Sequence, residues 1–305
     1  MRRNVLRGAT AALCLFIGTT AACGDDTGGA GGSGPDGGTG KVTFNTWGEE
    51  YIEQEIPASE FADGWSAKYD KFLINIGNIR IGDSEGNEAA RKDGFILINH
   101  VAAGVKPVTT LDGIAAKNWD LVSYQIRPVS DPAQLEVGAG ATEADKTFMI
   151  ANACHVYVEG TISKSGEDSK TFKWCFSVAT LLDECEGELE GKLTKGVVVT
   201  EGGEDQVQLT IHGDHFFYDD LQSAEAVVKG QVLVDADAED VETGSVDGEI
   251  TLEELAAVDI DDLPPDAYGT GAATGVENLR DYVTFLSRTL GHYRGEGECF
   301  VKDPN

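Results

Sequence analysis

The side chains best suited to chemistry sit in one short run, His212-Gly213-Asp214-His215, followed by Asp219 and Asp220. Two imidazoles three residues apart beside carboxylates match the ligand types of zinc or copper, and His292, much further along, offers a third nitrogen. The chemistry this supports is a transition-metal site built from His212, Asp214, His215 and His292. The plainer reading is surface histidines and capping aspartates where a strand gives way to a helix. His155, which shares a polar face with Tyr157 and Glu159, and His100, at a strand end, read as ordinary surface residues. No GxSxG, HExxH or Walker loop occurs. The expectation is therefore a protein without catalysis, a metal-assisted hydrolase at the His/Asp cluster being the remaining enzymatic option.

A second run, Asp247-Gly248-Glu249-Ile250-Thr251-Leu252-Glu253-Glu254-Leu255, is also rich in oxygen ligands. It resembles the second half of an EF-hand, in which calcium needs alternating oxygen ligands, a Gly at the sharp turn, an apolar residue for a short β contact and a bidentate Glu at position twelve. With Asp247 at position five, Gly248 falls at six, Ile250 at eight and Glu254 at twelve. Positions one and three become Thr243 and Ser245, and the missing acids stand eight residues earlier as Asp235 and Asp237. The resemblance implies a calcium site of Asp235, Asp237, Asp247, Glu249, Thr251 and Glu254, with the extra residues looped out. Thr251 and Glu254 also fit a capping box, which accounts for them as a helix start alone.

The elements that precede these runs begin with an export signal. Arg2, Arg3 and Arg7 open the chain, residues 9–22 are apolar or small, and Cys23 follows. Thr20-Ala21-Ala22-Cys23 resembles the bacterial lipobox, with Thr20 where that family usually has Leu, and Arg2-Arg3-Asn4-Val5-Leu6 is similar to a twin-arginine signal with Val5 in place of Phe. The first resemblance implies lipidation at Cys23. Residues 23–40 then form a Gly-rich tether of the kind that holds a domain off a membrane. The expected location is the cell envelope, lipid-anchored and facing the periplasm or the cell surface.

Charge narrows the partners. The chain has 23 Lys+Arg against 53 Asp+Glu, a formal charge of −30, and loss of the three signal arginines takes it to about −33. Such a charge repels phosphate, so nucleic acid is excluded and the expected partners are the membrane through the lipid anchor and a protein or surface ligand. Cys154, Cys175, Cys185 and Cys299 remain after Cys14 and Cys23 are removed, an even number suited to two disulfides. Three connectivities are possible. The preferred one joins Cys154 to Cys175 and Cys185 to Cys299, stapling the C-terminus to the body. Strand alternation puts Cys154 on a face with Val156 and Val158, opposite to Cys175, so a cross-strand bridge there needs a bulge.

From 41 to 213, short runs such as KVTFNTW, KFLINIGNIRI, GFILINH, FMIANACHVYVEGTI, KTFKWCFSV and QVQLTI are separated by Gly/Asp turns. This pattern predicts a mostly β chain, an antiparallel β-sandwich, with a small α-helical, EF-hand-like segment over 214–305. Within that segment, Leu221, Ala224, Val228 and Val232 have helical spacing. Val276, Leu279, Val283, Leu286 and Leu290 form a second stripe, opened by a Thr274/Glu277 capping box and closed by Gly291. Residues 71–126, a strand, an acidic loop, GFILINH and LDGIAAKNWDLVSYQI, resemble the β-sandwich of secreted lipoproteins such as the MbnP-like copper-binding family. That resemblance implies fold and location. The reading ranked first is an exported binding or structural lipoprotein whose C-terminal segment is ordered by calcium, with a copper- or zinc-binding lipoprotein as its alternative.

Overall fold

Strands form where apolar residues alternate, and loops where Gly, Asp and Ser interrupt them. The computed structural model describes residues 37–239, 246–264 and 267–304; the expected signal peptide and Cys23 lie outside the described residues. The chain runs β1 (Thr39–Trp47), a one-turn helix α1 (Glu49–Glu53), β2 (Ser66–Gly82), β3 (Glu88–Asn99), β4 (Lys106–Ala115), β5 (Asn118–Trp119), β6 (Leu121–Ile126) and β7 (Leu135–Val137). Helix α2 (Glu143–Ala151) leads into β8 (Val156–Ser163), β9 (Lys170–Phe176), β10 (Thr180–Leu189), β11 (Lys192–Lys195), β12 (Val197–Val198) and β13 (Glu204–Ile211). After it come α3 (Gln231–Asp235), β14 (Glu249–Ile250), α4 (Leu252–Ala256), α5 (Leu279–Leu286), β15 (Gly291–Tyr293) and β16 (Glu298–Lys302).

Two large sheets result. One has the order β15-β13-β1-β4, and the other runs β11-β10-β6-β2-β8-β9-β14, with β3, β7 and β16 attached to it. Their inner faces share one apolar core: Val42 and Phe44 of β1 and Val207, Leu209 and Ile211 of β13 pack with Phe72, Ile74 and Ile76 of β2 and Val156 and Val158 of β8. The mostly β, sandwich-like expectation agrees with this, except that β1–β13, β3–β7 and β9–β14 pair in parallel. Distant segments can pair that way because no hairpin has to join them. A smaller core of Leu73, Phe95, Leu97, Met149 and Tyr157 lies on the other face of β2, where α2 contributes Met149.

Both disulfides have the preferred pairing, Cys154–Cys175 and Cys185–Cys299. The parity objection to the first is resolved without a bulge. Cys154 lies before β8, after Ala153 has turned through φ 52°, and so joins Tyr157 and Cys175 in the smaller core rather than following Val156. Cys185–Cys299 ties β10 to β16, its strand partner.

Several expectations fail locally. Residues 148–151 are helical, because Thr142 and Asp145 form a capping box that starts α2. No helix spans 221–230. The Asp219 carboxylate accepts from Val227 N, which a helix would give to the Ser223 carbonyl, while Asp220 accepts from Gln222 N and Ser223 N. Helix α5 is capped by Asn278 rather than Thr274, and Gly291 belongs to β15. His100 and His155 are fully buried rather than superficial: His100 Nε2 lies 2.9 Å from Thr46 Oγ1 and His155 Nδ1 2.5 Å from the Phe176 carbonyl. Burial holds their pKa values down to about 3 and about 4.

Candidate metal centre

The end of β13 and the antiparallel β15 bring the histidines together. Thr210 pairs with His292, and His212 N donates to the Leu290 carbonyl. Residues 210 and 212 share one face of a strand, so His292 comes beside His212 across the pair. His292 therefore reaches the site from a strand, not from the end of the last helix. His215 arrives by a 3-10 turn over Asp214–Phe217 that is anchored in the core; Phe216 stacks on Phe176 with centroids 5.2 Å apart. Gly213 makes the turn fit, since a Cβ there would meet Ile52 at 2.6 Å and Tyr69 at 2.9 Å. Tyr69 donates its hydroxyl to the Gly213 carbonyl and fixes the turn from below.

The three rings cluster closely. Centroids are 4.2 Å apart for His212 and His292, 5.2 Å for His215 and His292, and 5.3 Å for His212 and His215. His212, Asp214 and His215 each offer a ligand atom within 4.8 Å of the others, and so do His212, His292 and Glu296. His215 Nδ1 lies 3.0 Å from Thr289 Oγ1, whose single proton goes to the Leu286 carbonyl. Nδ1 must therefore be the donor, which leaves the His215 Nε2 lone pair available. His212 Nδ1 faces Glu49 Oε2 at 3.4 Å, while its buried Nε2 has no hydrogen-bond partner among the described residues. The same holds for His292 Nδ1 and for Asp214 Oδ1; the other Asp214 oxygen accepts from the Tyr218 hydroxyl.

Burial dominates the electrostatics. It lowers the pKa of all three histidines, most for His215, where the neighbouring rings add to the effect. At neutral pH they are uncharged imidazoles, the form that binds metal. Burial, then repulsion from Glu296, Asp214 and Glu50, pushes Glu49 up to about 7. Asp214 is raised by burial against the Tyr218 hydrogen bond. Glu49 also sits at φ 53°, a left-handed conformation that non-glycine residues adopt at a cost. Sequence reasoning did not find Glu49, Tyr218 or Glu296: nothing in their spacing ties them to His212, and only the fold makes them neighbours. A cavity of about 550 Å³ opens beside the cluster.

The acidic cluster has a different character. Of its six expected residues the fold gathers Asp237, Asp247 and Glu254, with ligand atoms within 4.8 Å of one another. Asp235 is exposed and accepts from Gln231, and the Glu249 carboxylate pairs with Lys173. Buried Asp237 accepts from the backbone N–H groups of Asp247 and Gly248 and pairs with the Lys170 ammonium. Glu254 accepts from Thr251 N and Oγ1, and Thr251 Oγ1 accepts from Glu254 N, so the capping box is present. Burial raises the Glu254 pKa, and Asp237 and Asp247 add to the rise. The flanking helices α3 and α4 have five residues each, and β14 pairs with β9 of the large sheet. The expected positions Thr243 and Ser245 lie outside the described residues.

No protein-family model matches the chain, and no curated protein matches it in sequence. Among solved structures, MbnP from Methylosinus trichosporium is similar over 79% of this chain and 96% of its own, with 11% identity and a TM-score of 0.32. A likeness that distant carries no argument about the site.

Proposed function

We propose that this chain is a transition-metal-binding protein that holds one zinc or copper ion with His212, His215 and His292, with Asp214 or Glu296 completing the set. The observation that carries the reading is the convergence of three neutral imidazoles at ring separations of 4.2–5.3 Å, with His212 Nε2, His292 Nδ1 and Asp214 Oδ1 buried and unpaired among the described residues. Buried polar atoms are otherwise almost always paired, and three in one place need a common partner. Imidazole nitrogen suits zinc and copper, and backing groups such as Thr289 and Glu49 orient metal-bound rings through their other nitrogen. The role is binding rather than turnover, and it is exercised outside the cytoplasm on a protein exported and lipidated at Cys23; the basic and apolar leader before Cys23 supports that part.

A second reading is retained for Asp237, Asp247 and Glu254, whose carboxylates lie within 4.8 Å of one another: a calcium ion there orders the C-terminal segment, displacing Lys170 from Asp237 as it binds. One experiment separates the two. Protein stripped with a chelator is unfolded thermally with zinc, copper, calcium or magnesium restored singly. A saturable rise with zinc or copper that vanishes in His215→Ala supports the histidine centre. A rise confined to calcium and lost in Glu254→Gln moves the function to the acidic cluster.

A further inference from the structure

The cavity beside the histidines carries charge of one sign. Asp220, Glu296 and Glu298 stand in its wall, and among the described residues no lysine or arginine does. Exposure falls steadily towards the rings: the side chain of Glu298 is 75% exposed, that of His292 12% and that of His212 8%. Glu298 Oε1 lies 3.8 Å from His292 Nδ1, so the outer carboxylate leads directly to an unpaired nitrogen. Asp220 has one oxygen engaged by the N–H groups of Gln222 and Ser223, which fix the carboxylate at the rim as a charge rather than as a ligand.

A cleft of one sign with low-dielectric walls focuses the field and concentrates counterions, raising association rates by about 10- to 1,000-fold. Size does not select here. Six waters occupy roughly 180 Å³ at about 30 Å³ each, so the cavity of about 550 Å³ admits a hydrated ion and equally a small chelate. Selection must come from charge.

Resting on the histidine cluster as a transition-metal centre, we propose that this cavity is the ion's route to the site and selects the form in which the metal arrives. Hydrated or otherwise cationic metal is admitted, and metal held in an anionic chelate is turned away at the mouth. Asp220 and Glu298 act by attraction alone, before the ion reaches the rings.

The test is the association rate of zinc with the metal-stripped protein, followed by stopped flow against a chromophoric zinc indicator. In Asp220→Asn/Glu298→Gln the rate with aqueous zinc should fall about tenfold, with dissociation unchanged within twofold. Added salt should slow the wild type more than this variant. Glu167→Gln/Asp168→Asn removes two exposed carboxylates that line no part of this cavity and should leave the rate within twofold. Zinc nitrilotriacetate, an anionic donor, should load the wild type more slowly than aqueous zinc, and the rim variant should narrow that gap. An unchanged association rate in the rim variant, an equal loss in the control pair, or a loss confined to dissociation would each overturn the proposal. A wild type that takes up neither zinc nor copper would instead remove the centre on which it rests.

Discussion

The histidine cluster and the acidic cluster bring comparable numbers of ligand-type side chains within 4.8 Å, yet their polar atoms are used differently. Around Asp237 the carboxylates are engaged internally, by Lys170, by two backbone N–H groups and by a capping box. Around His212 several buried atoms have no partner among the described residues. Proximity of ligand types is therefore a weak guide to binding. What distinguishes a centre from a structural knot is whether the donors remain available after the fold has formed.

The largest expected effect tests that difference from the acidic side. Asp237 is fully buried and paired with Lys170, so Asp237→Ala removes that charge partner and the acceptor of two backbone N–H groups together. Breaking a buried pair on one side costs about 3–5 kcal/mol. Denaturant unfolding should show that loss with and without calcium. A variant of wild-type stability would mean that the knot contributes nothing.

The complementary substitution is His292→Ala. No hydrogen bond is lost from His292 Nδ1, which is unpaired, so the metal-free protein should change by about 1 kcal/mol or less. Stabilisation by zinc or copper should disappear, a loss of about 2.7 kcal/mol when free metal is 100-fold above Kd. Equal destabilisation with and without metal would make His292 a packing residue and erase the contrast.

How much of this could be read from residues alone follows the same division. His212 and His215 were visible because they stand three positions apart, and the strands because runs such as Val207, Leu209 and Ile211 alternate with polar neighbours. The C-terminal segment misled because its apolar spacing ignores competing side chains. Asp219 takes the Val227 N–H that a helix over 221–230 would give to the Ser223 carbonyl, and β14, β15 and β16 join the sheets. Burial of His100 and His155 was illegible for a related reason: partners such as Thr46 and the Phe176 carbonyl come from other strands. The acidic run read as a calcium loop because composition lists oxygen donors without showing what already occupies them.

Glu49 offers a smaller effect. It faces His212 Nδ1 and holds that ring from behind, from a left-handed backbone position. Loss of such a supporting group weakens metal binding about 10- to 100-fold. Glu49→Gln should weaken zinc or copper towards the lower end of that range and leave the acidic cluster's calcium response untouched. An unaltered affinity would show that His212 is oriented by the β13–β15 pair alone.

The smallest effect on metal affinity is in pH, and the two clusters should differ in which carboxylate sets it. The metal-site histidines have pKa values below the ordinary 6.5. Glu49, which faces His212, is pushed up to about 7 and takes up a proton as pH falls through that value, so zinc affinity should fall between pH 7.5 and 6.5 by no more than the Glu49→Gln loss. Glu254 is displaced upward from its ordinary 4.5, so calcium binding must release a proton at a higher pH than an ordinary glutamate would require, and calcium affinity should fall as pH drops through that raised value. Stability of the metal-free fold follows the buried histidines instead. His100 and His155 titrate near 3 and 4 when folded and near 6.5 when unfolded. Above 6.5 neither state holds the extra proton and stability is complete. As pH falls below 6.5 the unfolded chain gains protons that the fold refuses, and stability is lost by up to about 1.4 kcal/mol per pH unit for each histidine until the folded values are reached. Unfolding free energies measured from pH 7.5 to 5 should therefore decline with acid, and the zinc affinity of Glu49→Gln measured from pH 7.5 to 6.5 should vary less than that of the wild type; a steep fall in the variant over that interval would mean that the rings hold protons which burial was expected to exclude.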